Sequence, residues 1–127
     1  MLDTLRSRER LVSLVVVTVA TLALFLSTLQ TDINSSRHPY AKDVGEIQNA
    51  LPRWGLIHYS GYPLYTATGS LFVSALWRVG VEPAAGASLF SAVWGTVTVV
   101  LLSVLAHELG VSWSVSALGA LAVAVSR

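Results

Sequence analysis

Residues Leu11 to Leu29 read LVSLVVVTVATLALFLSTL, 19 residues without a charge. Wound as a helix at about 1.5 Å per residue, the run is roughly 28 Å long, against a hydrocarbon layer of ~30 Å. A secretory signal would have an apolar region of only about 7–15 residues and a small-residue cleavage site after it. STLQTD, residues 27–32 at the end of the run, is a poor site. The reading is a retained transmembrane helix over 11–29. Residues 1–10, MLDTLRSRER, are polar and carry Arg6, Arg8 and Arg10. Positive charge beside a span sets its orientation, so the N-terminus is expected in the cytoplasm and residues 30 to about 83 outside it.

Composition points the same way. Of the 127 residues 54% are hydrophobic and 12% charged, where a soluble domain has roughly 25% charged residues. The net charge is +1. With no basic arm carrying interleaved aromatics, no nucleic-acid partner is expected. The chain has no cysteine, which excludes disulfides, thiol chemistry and cysteine metal sites.

Downstream, EPAAGASLFSAVWGTVTVVLLSVLA (Glu82 to Ala106) predicts a second span over 84–106. Pro83 suits its first turn. Ala87, Ser91 and Gly95 fall four apart and give a small-residue face for close helix packing. His107, Glu108 and Gly110 form a polar helix end and turn. VSWSVSALGALAVAVSR, residues 111–127, begins a third span, with Ser112, Ser116, Ala120 and Ala124 again four apart. Its helix would cover only about 24 Å before Arg127, so it is expected to be incomplete. The chain is therefore expected to be the N-terminal piece of a larger multi-pass protein. The expected fold class is an all-α integral membrane protein with about three transmembrane helices. An amphipathic surface helix should lie in the first external loop.

That loop, residues 30–61, holds most of the polar chemistry. Asn34, Ser35, Ser36 and Pro39 form turns, and Asn34-Ser35-Ser36 fits a glycosylation sequon that also occurs by chance. A short helix is predicted from Asp43 to about Leu51, stopped by Pro52, with Asp43 and Glu46 spaced as a D-x-x-E capping box. In residues 62–81, Leu64, Thr68, Leu71, Phe72, Ala75, Leu76 and Val79 recur at helical spacing. Thr66, Ser70, Ser74 and Arg78 fall on the other side, and Trp77 and Arg78 suit an interface. The reading is a surface-lying helix; the alternative, a further span, would reverse the side on which everything downstream lies.

Asp43 and Glu46, three apart, share a helix face and suit acid–base chemistry; the plain alternative is helix capping. Arg37, His38, Lys42, Arg53 and His58 surround them. They can bind a headgroup or phosphate, or be ordinary solvated charge. No compact H-x-x-x-H spacing is present, and neither a metal nor another cofactor is expected. In HYSGYPLY, Gly61 frees the backbone, Pro63 fixes the next turn, and Tyr59, Tyr62 and Tyr65 line a cavity or meet lipid headgroups.

The stretch DVGEIQNALPRWGLIHYSGYPLYTATGSLF, and the two apolar segments after it, resemble the protein O-mannosyltransferase-like membrane proteins, grouped with the type C glycosyltransferases. The pattern there is D-x-G-E, a short helix, then H-P-P-G-Y-P-L-Y. The residues that carry the likeness are Asp43, Gly45, Glu46, His58, Gly61, Tyr62, Pro63, Leu64 and Tyr65. Tyr59 and Ser60 replace the two prolines, and Val44 stands where a small or polar residue is usual. The resemblance implies transfer of a mannose-like sugar from a polyprenyl-phosphate donor to an extracytoplasmic acceptor protein or glycan, next to membrane lipid. It implies Asp43 as the base and Glu46 in support. His58, Tyr62, Arg53 and Lys42 would contact substrate. The competing reading is a small non-enzymatic membrane subunit for interaction or assembly. A transporter would need polar groups within its spans, and almost none are present.

Overall fold

A computed structural model describes residues 2–34, 42–58 and 60–126. Arg37, His38 and Tyr59, and the side chain of Lys42, lie outside the described residues. Five α-helices stand among the described residues: α1 (Leu2–Ser27), α2 (Lys42–Ala50), α3 (Pro63–Trp77), α4 (Pro83–Glu108) and α5 (Trp113–Val125). A 3-10 turn, Leu51–Arg53, continues α2. The chain divides into two compact units, residues 28–91 and residues 1–27 with 92–127.

The second of these units is built from α1, α5 and most of α4. Residues 7–27 and 83–108 are each long and apolar enough to cross a membrane. Only 17% and 28% of their apolar windows are buried, which suits helices facing lipid rather than a soluble core. The protein is an all-α membrane protein. α1 packs on α5. Val17, Val99, Ala117 and Ala120 form the buried cluster between these helices. Close approach needs small residues: a Cβ at Gly95 would come within 2.7 Å of the Phe25 ring. At the start of α5, the Trp113 ring stacks on His107 at 3.9 Å and carries the Arg10 guanidinium over it at 5.6 Å. The helix begins at Leu2, well before the expected span, because MLDTLRSRER contains no glycine or proline to stop it.

In residues 28–91, Leu51, Val73, Ala87 and Phe90 form the core, with Ile47, Tyr65 and Phe72 against it. α2 ends at Ala50, one residue before the expected stop. Pro52 explains this: it lacks an N–H and disfavours α geometry at the residue before it. The chain then turns through left-handed Trp54 (φ 53°), and the Gly55 N–H closes on the Ala50 carbonyl at 2.9 Å.

Gln48 ties this unit together. Its side chain is 2% exposed. Its Oε1 accepts from the Asn34 N–H at 2.8 Å, and its Nε2 donates to the Asp32 carbonyl and the Ser88 hydroxyl, both at 3.1 Å. A buried amide is stable only with such partners. It docks the segment after α1 and the first turns of α4 onto α2.

α3 packs with the polarity opposite to that of a soluble helix. Its buried face is Thr66, Gly69, Ser70 and Val73. Leu64 and Leu71 are 79% and 59% exposed. Gly69 sits so close to Leu51 and Phe90 that a Cβ would approach both at about 3 Å. The helix is shorter than the expected 62–81 because residues 78–80 form a turn, ending in Gly80 at φ 90°.

Candidate functional site

Asp43 and Glu46 stand on α2, and His58 lies in the loop that leads to α3. The D-x-x-E pair is not a capping box. Lys42 is already helical, so Asp43 lies inside the first turn, where a carboxylate complements the helix N-terminal partial charge. Glu46 turns away to His58. Its Oε1 accepts from the His58 backbone N–H at 2.6 Å, and its Oε2 lies 2.8 Å from the ring Nδ1. A carboxylate only accepts, so Nδ1 carries the hydrogen in this pairing.

This pairing moves both groups. The hydrogen bond from His58 holds the Glu46 carboxyl below its ordinary value of 4.5. The same bond, with the Glu46 charge and a smaller contribution from Asp43, raises His58 above its ordinary 6.5. The signs fix a window. The Glu46 contribution to folding is complete above about pH 4.5 and is lost as pH falls through its lowered value. The His58 contribution is complete below about pH 6.5 and is lost as pH rises through its raised value. In an NMR titration His58 is expected to have a midpoint above 6.5, falling towards the ordinary value in Glu46→Gln. A wild-type midpoint at or below 6.5 would contradict the pairing.

The loop after His58 is strained. Ser60, Gly61 and Tyr62 all have positive φ, at 74°, 66° and 41°. Only glycine adopts this region without cost. The turn is held by the Gly61 N–H on the His58 carbonyl at 2.9 Å and by the Thr66 hydroxyl on the Gly61 carbonyl at 2.7 Å. Pro63 then opens α3. The result sets the Tyr62 ring edge-on to His58, 6.0 Å between centroids. Tyr65 turns elsewhere, its hydroxyl 2.9 Å from that of Ser91 on α4.

The fold thus gathers Asp43, Glu46, His58 and Tyr62. Arg53 instead lines a different cavity, beside Asp32 and Trp77. One donor atom from each of Asp43, Glu46 and His58 lies within 4.8 Å of the others, so a cation could be held there. It would have to displace the Nδ1 hydrogen from Glu46, and the hydrogen-bonded pair is what the geometry contains. Sequence reasoning missed the structural parts played by Gly45 and Gln48. Gly45 is buried under the Asn34 carbonyl, with no room for a Cβ. Both support the helix that presents the carboxylates. A lone amide on the apolar face of α2, between Ile47 and Leu51, was the available signal for Gln48.

The family described as "Protein O-mannosyl-transferase TMEM260 N-terminal domain" matches residues 43–127. The chain belongs to this family. The match begins at Asp43 and takes in Glu46, Arg53, His58 and Tyr62. Neither a curated protein nor a solved structure matches the chain significantly. Membership of the TMEM260 N-terminal family gives the protein an O-mannosyltransferase-related role, and the resemblance in the DVGE and GYPLY segments is thereby borne out.

Proposed function

We propose that this domain serves the transfer of a mannose-like sugar from a polyprenyl-phosphate donor to a hydroxyl on an extracytoplasmic protein or glycan. The observation that most supports this is the exposed grouping of Asp43, Glu46 and His58 in a chain of an O-mannosyltransferase family. Asp43 takes the proton from the acceptor hydroxyl as that oxygen bonds to the anomeric carbon. The bond from that carbon to the phosphate oxygen breaks, and its electron pair leaves with the lipid phosphate. Glu46 is a positioning residue: His58 occupies both its oxygens. His58, whose cationic form the Glu46 pairing favours, offsets the charge on the leaving phosphate, with Tyr62 beside it.

The membrane arrangement follows from the same physics. Arg6, Arg8 and Arg10 keep the N-terminus in the cytoplasm. α1 and α4 cross. α3, with 15 residues, is roughly 22 Å long, short of the ~30 Å hydrocarbon layer. It lies along the outer surface with Leu64 and Leu71 towards lipid.

The test uses membranes containing the full-length protein, supplied with radiolabelled mannose on polyprenyl phosphate or on a nucleotide. Transfer is expected from the lipid-linked sugar alone. A Leu56→Cys variant, at an 82% exposed position in a chain without cysteine, should react with an impermeant maleimide from the extracytoplasmic side. Direct use of the nucleotide sugar, or labelling only from the cytoplasm, would sink the reading.

A further inference from the structure

A cavity of about 580 Å³ lies within residues 28–91, apart from the Asp43–Glu46–His58 group, and its wall includes Thr31, Asp32, Asn49, Arg53, Trp77 and Glu82. The volume is that of a small-ligand site. Three of these residues are charged: two carboxylates and one guanidinium. The only ion pair among the described residues is Glu46 with His58, so Asp32, Arg53 and Glu82 share one wall without pairing to one another. All three are exposed, so a ligand of complementary charge can reach them. The occupant that completes it carries a cation for the carboxylates and an anion for Arg53. Trp77 is 59% exposed, and an indole ring packs well beside a cation.

Position narrows the chemistry further. Thr31 to Ile33 follow the end of α1, and Glu82 to Ala84 begin α4. These are the ends of the two helices long enough to cross a membrane, so the cavity opens at headgroup depth. We infer that it binds the headgroup of a zwitterionic phospholipid with a primary ammonium, phosphatidylethanolamine being the type. The ammonium donates to Asp32 and Glu82, the phosphate diester accepts from Arg53, and Trp77 packs on the ethylene link. A primary ammonium gives three donors where choline gives none, so the carboxylates select ethanolamine over choline. The inference requires that α1 and α4 cross the membrane. It does not require the transferase reading.

The experiment is native mass spectrometry of the full-length protein from an equimolar mixture of phosphatidylethanolamine, phosphatidylcholine and phosphatidylglycerol with matched acyl chains. Ethanolamine lipid is expected to be retained about tenfold over the other two, the discrimination of one net charge-assisted hydrogen bond. Asp32→Asn with Glu82→Gln should bring the three lipids to parity, whereas Arg53→Ala, which removes the partner of the phosphate they share, should lower retention of all three. The amide variants keep side-chain volume, and unchanged helical circular dichroism checks that they fold. Asp43→Asn should leave the preference intact, which separates this inference from the transfer mechanism. Free O-phosphoethanolamine should displace the lipid, and a methyl hexopyranoside should not. Equal retention of all three lipids by the wild-type protein, a preference that survives Asp32→Asn with Glu82→Gln, unchanged retention in Arg53→Ala, or displacement by the glycoside alone would overturn the assignment.

Discussion

Asp43→Asn is expected to slow sugar transfer by about 10²- to 10⁴-fold, the usual contribution of a positioned general base. The amide keeps the shape of the carboxylate and cannot accept the acceptor's proton. Asp43 is exposed, and substitutions at such positions usually change stability by less than about 0.5 kcal/mol. Abundance and membrane insertion should therefore match the wild type, and the loss should appear in kcat. Glu46→Gln is the informative companion. If Glu46 works only by holding His58, its loss should be smaller and should alter the pH profile, because the His58 midpoint moves with it. Normal turnover in Asp43→Asn, with the large loss falling on Glu46→Gln, would transfer the base role to Glu46 and refute its assignment to Asp43.

The second large effect is structural. At Gly45 a Cβ would collide with the Asn34 backbone carbonyl. Backbone cannot swing aside as a long side chain can, so Gly45→Ala must push residues 32–34 off α2. That motion also strains the bonds from Gln48 to Asn34 and Asp32. Overpacking costs about 1–3 kcal/mol, and a stranded buried amide costs a further ~1–3 kcal/mol. A fall in Tm on the order of 10 °C is expected in detergent. Gly119→Ala is the control. A Cβ there meets nothing within 4 Å, and alanine in a helix is favoured over glycine by up to about 1 kcal/mol. Equal behaviour of the two variants would mean that the Gly45 contact carries no weight.

Much of the fold could be read from the chain because the property that decides it is local. Residues 11–29 and 84–106 are apolar over a membrane's width, and no neighbour is needed to decide what they become. The short α2 and its end near Pro52 followed from proline chemistry. What escaped was non-local. Asp43 and Glu46 resembled a capping box because spacing records only helical neighbours, whereas the partner of Glu46 is His58, twelve positions away. Gly45 looked like part of a motif, and its reason is Asn34, eleven positions before it. The face of α3 that packs inward is the one with Thr66, Gly69 and Ser70. Polarity alone would bury the leucines, and beside a membrane that rule inverts. Arg53 was grouped with the acidic pair because it is near in sequence, yet it lines the other cavity.

The grip of Glu46 on His58 has a consequence for speed. One oxygen fixes the main chain and the other fixes the ring, so a single carboxylate chelates the residue at two points. Position and rotation are then set together, and the imidazole has few rotamers left to search. Ordering a side chain at the moment of binding costs about 0.5–1.5 kcal/mol. Here that entropy is surrendered during folding, before any substrate arrives. A substrate meeting the ring finds it already placed, and its own arrival need organise only itself.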